Sequence, residues 1–340
     1  MTRRQSTLIL ATLAGAIALG GYLFWFSRTP LDADGREVTV PPGMTLRAFS
    51  RALYRANILP DPVTLVWLAR IQGKSRALKA GEYRFRRGQT AFEILDQVVS
   101  GHVIEYPFTI VEGWNFEQVV DALRAAPRVA RTLDGLGSKQ IMARLGRPDQ
   151  HAEGRFFPDT YYHSSGMTDL ALLKRALERM DTVLAAEWAA RDEDVPLKTP
   201  DEALVLASIV EKETGDPDER PMIAGVFARR LRIGMRLQTD PTVIYGLGAK
   251  FDGNLRVSDL RRPTPWNTYV IRGLPPTPIA MPGRDAIHAA LHPQDTDAIF
   301  FVSRGDGSHE FTETLVDHNR AVSKYQNAGS AQEKTRGRAQ

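Results

Sequence analysis

Thr199-Pro-Asp-Glu-Ala-Leu-Val-Leu-Ala-Ser-Ile-Val-Glu-Lys-Glu-Thr-Gly215 is the stretch on which the fold turns. Thr199 suits an N-cap, Pro200 the first helical position, and Glu202 completes a capping box. Ala203 to Val210 is apolar almost all round, and a helix with no polar face belongs inside a domain core. It runs into Glu211-Lys212-Glu213-Thr214-Gly215, where Gly215 reads as a stop. Two carboxylates therefore leave the end of a core helix. A carboxylate in such a dry place has its pKa raised, because burial penalises the charged form. That is the state a general acid needs near neutral pH. The ordinary alternative is a solvated helix end paired with arginine.

Downstream, Glu219 to Leu231 reads as an amphipathic helix. It leads into a turn-rich run holding Gln238, Thr239, Asp240 and Tyr245, with a second polar and aromatic cluster at Asn267, Thr268 and Tyr269. Such side chains offer the hydrogen bonds and ring faces that saccharide clefts use. Upstream, residues 106–199 read as mostly helical. Their loop Glu153-Gly-Arg-Phe-Phe-Pro-Asp-Thr-Tyr-Tyr162 is unusually aromatic, either core packing or a stacking surface for sugars. Earlier still, strand, glycine turn and amphipathic helix recur around Gly43, Gly88 and Gly113, a weak repeat. In the first of these helices Leu46, Phe49 and Leu53 share a face; Val63, Leu65, Val66 and Leu68 mark the next, and Phe92, Leu95 and Val98 another.

The N-terminus sets topology. No charge occurs between Arg4 and Arg28, and Leu8 to Phe26 is an apolar run of 19 residues, enough to cross a hydrocarbon core of roughly 30 Å. Arg3 and Arg4 in front of it place the N-terminus in the cytoplasm and everything after residue 28 outside. Tyr22, Trp25 and Phe26 fall where an aromatic belt would lie. A cleaved signal peptide is the rival, and the hydrophobic length beyond Ala18 favours a retained anchor.

Of 340 residues, 44 are Lys or Arg and 40 Asp or Glu, a net charge of +4. That is too even for a dedicated nucleic-acid binder. The absence of cysteine removes disulfides, thiol nucleophiles and a lipid-modified cysteine. His288 and His292 have the spacing of a helical zinc pair, but no glutamate follows the first, so no metal is expected. No phosphate-binding, dinucleotide or serine-hydrolase motif completes. The basic run Arg229, Arg230, Arg232 and Arg236 reads first as a solvated face.

Four stretches carry a resemblance: EGRFFPDTYYH (153–163), ASIVEKETG (207–215), RRLRIGMRLQTDPTVIYGLG (229–248) and WNTYVIRGLPPTPIAMPG (266–283). In this order they resemble the YceG-like endolytic murein transglycosylases, from the anchor to about Tyr325. The resemblance implies an α+β protein with one transmembrane helix, a small LysM-like module and a larger mixed α+β catalytic domain. Its divisions are a cytoplasmic N-terminus (1–6), an anchor (7–27), a linker (28–36), the LysM-like module (37–105), the catalytic domain (106–325) and a disordered tail (326–340). It further implies cleavage of the β-1,4 bond between N-acetylmuramic acid and N-acetylglucosamine in new glycan strands, leaving a 1,6-anhydro end. Glu211 falls on the family's catalytic glutamate. Glu219, Gln238, Thr239, Asp240, Tyr245, Asn267, Thr268 and Tyr269 are then the expected substrate contacts, with no cofactor. Peptidoglycan, the inner membrane and wall synthases are the expected partners. The rivals are a muramidase that uses water and a tethered wall-binding protein without activity.

Overall fold

The computed structural model describes residues 3–33 and 35–336. Residues 1 and 2, part of the expected cytoplasmic segment, and 337–340, the end of the expected tail, lie outside them. The chain divides into two compact units. The first holds Met1–Pro107 with Arg128–Ala130 and Tyr162–Met167; the second holds the remainder.

In the first unit, α1 (Arg3–Arg28) contains a 22-residue stretch, Thr7–Arg28, apolar and long enough to cross a membrane. Leu8, Leu10, Ile17 and Phe24 along it are exposed, whereas Leu23 and Phe26 are buried. Phe26, 1% exposed, belongs to the core of this unit and not to an interfacial belt, while Tyr22 and Trp25 remain exposed. Parts of the expected linker are packed as well, residue 34 lying outside the described residues. Leu31 donates its amide to Gln89 O and accepts from Gly88 N, and Leu31 and Ala33 join the same core.

There follow β1 (Glu37–Val40), α2 (Leu46–Arg55), α3 (Thr64–Ile71), β2 (Gly81–Arg84) and α4 (Ala91–Ser100). β1 and β2 pair antiparallel, Val38 opposite Tyr83. Leu46, Phe49 and Leu53 do share the buried face of α2. In α3 the exposed Val63 is the N-cap. In α4, Phe92 faces outward and Ala91, Ile94, Leu95 and Val98 point in.

β3 (Glu105–Thr109) pairs with β4 (Thr160–Ser164), and α5 (Phe116–Ala125) and α6 (Ser138–Arg144) lie between them in sequence. The weak repeat has a local cause. Gly43, Gly88 and Gly113 take φ of 77°, 84° and 75°, a left-handed turn that only glycine adopts without strain. Two residues on, Thr45, Thr90 and Asn115 each cap the next helix by accepting an amide three residues ahead.

The second unit is built around α8 (Pro200–Glu213), with α7 (Asp169–Ala190) before it. α9 (Arg220–Arg232), α10 (Asp240–Leu247), α11 (Val257–Leu260) and α12 (Arg284–Leu291) follow. An antiparallel hairpin of β5 (Phe300–Ser303) and β6 (His309–Thr312) and the last helix, α13 (Leu315–Arg336), complete it. Every residue of α8 from Ala203 to Val210 is buried, as its composition requires. Met180 and Leu184 of α7, Ile223 and Phe227 of α9, and Ile287 and Leu291 of α12 close around it. Each such apolar side chain contributes about 1.5–3 kcal/mol on burial. Thr199 caps α8 by accepting from Glu202 N, but Glu202 reaches past the cap to Lys198 N, so the reciprocal box does not close. α13 runs on to Arg336, through residues whose composition suggested no structure. Its Ala, Gln, Glu, Lys and Arg residues have high intrinsic helix propensity.

Candidate functional site

Because the apolar stripe of α8 ends at Val210, its next polar residue is held at the rim of the core. The Glu211 side chain is 6% exposed. Its Oε2 accepts the Gly283 amide at 2.9 Å, and Arg220 Nη2 lies 3.5 Å from Oε1. Gly283 is the N-cap of α12, so this hydrogen bond sets the end of one core helix against the start of another. Arg220 itself is 9% exposed and also faces Glu112 at 3.9 Å and Asp285 at 3.6 Å. The Glu112 carboxyl occupies the space where a side chain at position 283 would project.

Burial raises the Glu211 pKa, and the negative charge of Glu112 adds to that; the Gly283 N–H, Arg220 and Lys212 act in the opposite direction. The net direction is upward. Glu211 thus keeps its proton to higher pH than a solvated glutamate, while a backbone donor and a guanidinium stand ready to stabilise the carboxylate once the proton has gone.

Glu213 leaves the same helix into a different setting. It accepts a hydrogen bond from the Thr239 hydroxyl. Burial, reinforced by Asp240, pushes it up to about 7 against the pull of Thr239, His309 and Arg230. Thr239 belongs to a buried knot: its amide donates to Thr268 Oγ1 at 3.0 Å, and the Thr242 and Thr268 hydroxyls meet at 2.8 Å. Gln238, at φ 49°, donates its amide to Thr268 O. Asn267 Nδ2 is shared among the carbonyls of Asp259, Leu260 and Arg262. The Tyr269 hydroxyl donates to Asp240 at 2.6 Å. Glu219 has both oxygens engaged by His309, through its amide and its Nδ1, each at 2.7 Å. Of the eight expected substrate contacts, six therefore bond to one another, to Glu213 or to backbone, and Glu219 is held by His309.

The eighth, Tyr245, lines a groove of about 1010 Å³ in the second unit, at the top of the range of roughly 300–1,000 Å³ that suits a drug-sized ligand. Its walls include Phe116, Phe251 and Trp266 with Asn115, Gln118, Glu153 and Lys212. Glu211 is not among the lining residues. Lys212, next in sequence, is, and its Nζ donates to the carbonyl of Gly113, a further lining residue. The aromatic loop at 153–162 resolves mainly as packing. Phe156, Phe157 and Tyr161 are buried, with Phe156 stacked on Phe116 at 5.3 Å. Glu153 in that loop lines the groove, and the sequence had not singled it out; nor had it singled out Arg220, Glu112 or Gly283. Glu153 and Gly283 lie at the ends of two quoted motifs, whereas Arg220 and Glu112 fall outside all four and carried no local signal.

Glu187, His288 and His292 offer ligand atoms within 4.8 Å of one another. Their carboxylates are already engaged: Glu187 takes His288 at 3.0 Å and Arg284 at 3.6 Å, and Asp192 takes His292 at 2.8 Å. The Glu187–Arg284 ion pair and the hydrogen bonds of His288 and His292 tie α7 and its C-terminal turn to α12.

Residues 38–324 match the YceG-like family. A protein of Bacillus subtilis (strain 168) named endolytic murein transglycosylase is 28% identical over 323 residues, covering 87% of each chain. One of the same name from Streptococcus pneumoniae (serotype 2, strain D39) is 26% identical over 362 aligned positions; these take in 95% of this chain but 65% of the pneumococcal one. Among solved structures, a putative YceG-like protein of Listeria monocytogenes aligns with a TM-score of 0.55 at 26% identity. The match covers 84% of this chain and 98% of that one.

Proposed function

The chain belongs to the YceG-like family, and we infer that it is, like the relatives named for that activity, a lytic transglycosylase acting on peptidoglycan. The bond cut is the β-1,4 linkage between N-acetylmuramic acid and N-acetylglucosamine, within the strand, and Glu211 carries the chemistry. One observation supports that choice above the others. The Glu211 carboxyl is buried at the end of the core helix with its pKa raised, yet faces an N–H and a guanidinium able to hold its charged form.

Glu211 gives its proton to the glycosidic oxygen, which keeps the electron pair of the breaking bond and leaves as a hydroxyl. The anomeric carbon, now cationic in character, is attacked by the C6 hydroxyl of the same sugar. That hydroxyl's proton returns to Glu211. A 1,6-anhydro ring results, no water is consumed and the acid is restored. Attack from within the same ring supplies a high effective concentration without a positioned water. A hydrolase would usually call on a second carboxylate.

The apolar helix Thr7–Arg28 serves as a retained inner-membrane anchor, with the N-terminus in the cytoplasm and the chain from residue 28 onward outside. Confinement near the bilayer makes newly made strands the substrate and termination of their growth the outcome, beside the wall synthases. The first unit acts as a LysM-like glycan module, a role supported by the order β1-α2-α3-β2 with β1 and β2 paired.

The test is product mass. Wild-type protein incubated with uncrosslinked glycan strands should release fragments ending in anhydro sugars, each lighter by one water than a hydrolytic product. Glu211→Gln should retain its circular dichroism and glycan binding while its rate falls about 10³-fold. Anhydro product from that variant at the wild-type rate would refute the assignment. Hydrolytic products would establish the muramidase instead.

A further inference from the structure

Two residues far apart in sequence meet in the wall of the groove. Glu153, 4% exposed, accepts the Tyr245 hydroxyl on Oε2 at 3.0 Å and the Phe116 amide on Oε1 at 2.9 Å. Among the described residues no cation lies within ion-pair distance of it, and the nearby Arg155 is turned to Asp201 at 2.7 Å. Burial, working against the Tyr245, Phe116 and Gly154 donors, pushes this carboxyl up to about 7. At neutrality a large share of it therefore carries a proton, and a neutral carboxyl has an O–H donor that a carboxylate lacks. The flanking rings are held by their polar ends. The Tyr245 hydroxyl is bound to Glu153 and Trp266 Nε1 donates to Thr277 at 2.9 Å, and the two rings meet edge to face at 5.5 Å. Held aromatic rings beside a neutral acid suit an uncharged ring with apolar faces and one strong carbonyl acceptor.

We propose that Glu153 and Tyr245 form a recognition subsite for the acetamido group of an N-acetylated sugar, with the acid form of Glu153 donating to the acetamido carbonyl. The subsite rests on the glycan substrate inferred above. It is separate from the proton transfer at Glu211.

Its signature is affinity that falls as pH rises, since ionisation removes the donor. The charged or titratable groups around Glu153 are few. Tyr245 is raised well above neutrality by burial. His151, whose Nδ1 accepts the Glu153 amide at 3.1 Å, is lowered by burial and by the charges of Arg155 and Lys139. Glu117, Arg124 and Lys212 stand elsewhere along the groove.

The experiment uses the full chain in detergent with Glu211→Gln in place, so that no cleavage occurs, and titrates it with a β-1,4-linked N-acetylglucosamine oligomer by calorimetry. Between about pH 6 and about pH 8.5, affinity should fall by up to about thirtyfold, in proportion to the loss of the protonated form. Adding Glu153→Gln, which keeps a donor and cannot titrate, should leave affinity flat across that range. Adding Tyr245→Phe should keep the fall but move its midpoint upward, because the tyrosine hydrogen bond lowers the Glu153 pKa. Circular dichroism confirms folding of each variant. An unchanged pH dependence in a folded Glu153→Gln protein, or no saturable binding at all, overturns the subsite. Anhydro product from protein with Glu211 intact is scored separately. Normal cleavage with pH-independent binding sinks the subsite alone, whereas pH-dependent binding abolished by Glu153→Gln, with no cleavage, sinks the chemistry alone.

Discussion

Glu211 and Glu213 leave one helix two residues apart, and the protein treats them in opposite ways. Both are buried and both have raised pKa values. Glu213 is sealed into a knot of threonines whose hydroxyls are already committed to one another. Glu211 faces a lone backbone amide and a guanidinium shared among three carboxylates. Raised pKa values alone do not separate them. What does is the setting: Glu211 faces a backbone N–H and a guanidinium within 3.5 Å, whereas Glu213 is closed in by the Thr239 hydroxyl, with His309 and Arg230 acting on it only through their charge.

The comparison can be broken most forcefully from the Glu213 side. Glu213→Ala should cost about 2–4 kcal/mol, by leaving the Thr239 hydroxyl unpaired and opening a cavity. Chemical denaturation would show it, while the anhydro-product rate per folded molecule should change far less than for Glu211→Gln. A rate loss as deep as that of Glu211→Gln, in folded protein, would reverse the two roles. Next in size is a pH effect on stability. The folded state holds a proton on Glu213 up to about 7, whereas the unfolded state releases it near the ordinary glutamate value. The folded form thus binds more protons in that window, and stability falls as pH rises through it by up to about 1.4 kcal/mol per unit. Glu213→Gln should flatten that slope.

Arg220 sharpens the other half. Its charge lowers the Glu211 pKa, so Arg220→Gln should carry the alkaline limb of the pH–rate profile upward while cutting the neutral rate about tenfold. Arg220→Lys should hold the limb in place. The smallest effect belongs to Glu112, whose charge raises the Glu211 pKa. Glu112→Gln should move the same limb downward, seen as about a twofold loss of rate at alkaline pH. Limbs that stay put in both variants would show that Glu211 does not set the profile.

Much of the frame was legible in the sequence. The all-apolar stretch from Ala203 to Val210 demanded a core, Thr199 announced where its helix begins, and the glycines at 43, 88 and 113 marked three turns into capped helices. The polar candidates were harder, because the residue types that bind sugars are those that also stitch turns together. Thr239, Thr268 and Asn267 do the latter here, and nothing local distinguishes the two uses. Glu219 is taken by His309, 90 residues away, and Glu211 by Gly283, 72 away. Such partners come together only through packing. Phe92 looked inward by spacing and faces outward because the smaller Ala91 fills the position against the core. Phe26 looked interfacial by its place at the end of an apolar run and is instead core.

Position 283 links volume to acidity. Its bare backbone leaves room for the Glu112 carboxyl while its own N–H holds Glu211. A single added methyl would evict that neighbouring anion without altering any charge in the sequence. The enzyme's working pH range is thereby exposed to a purely steric substitution, one that a survey of ionisable residues would pass over.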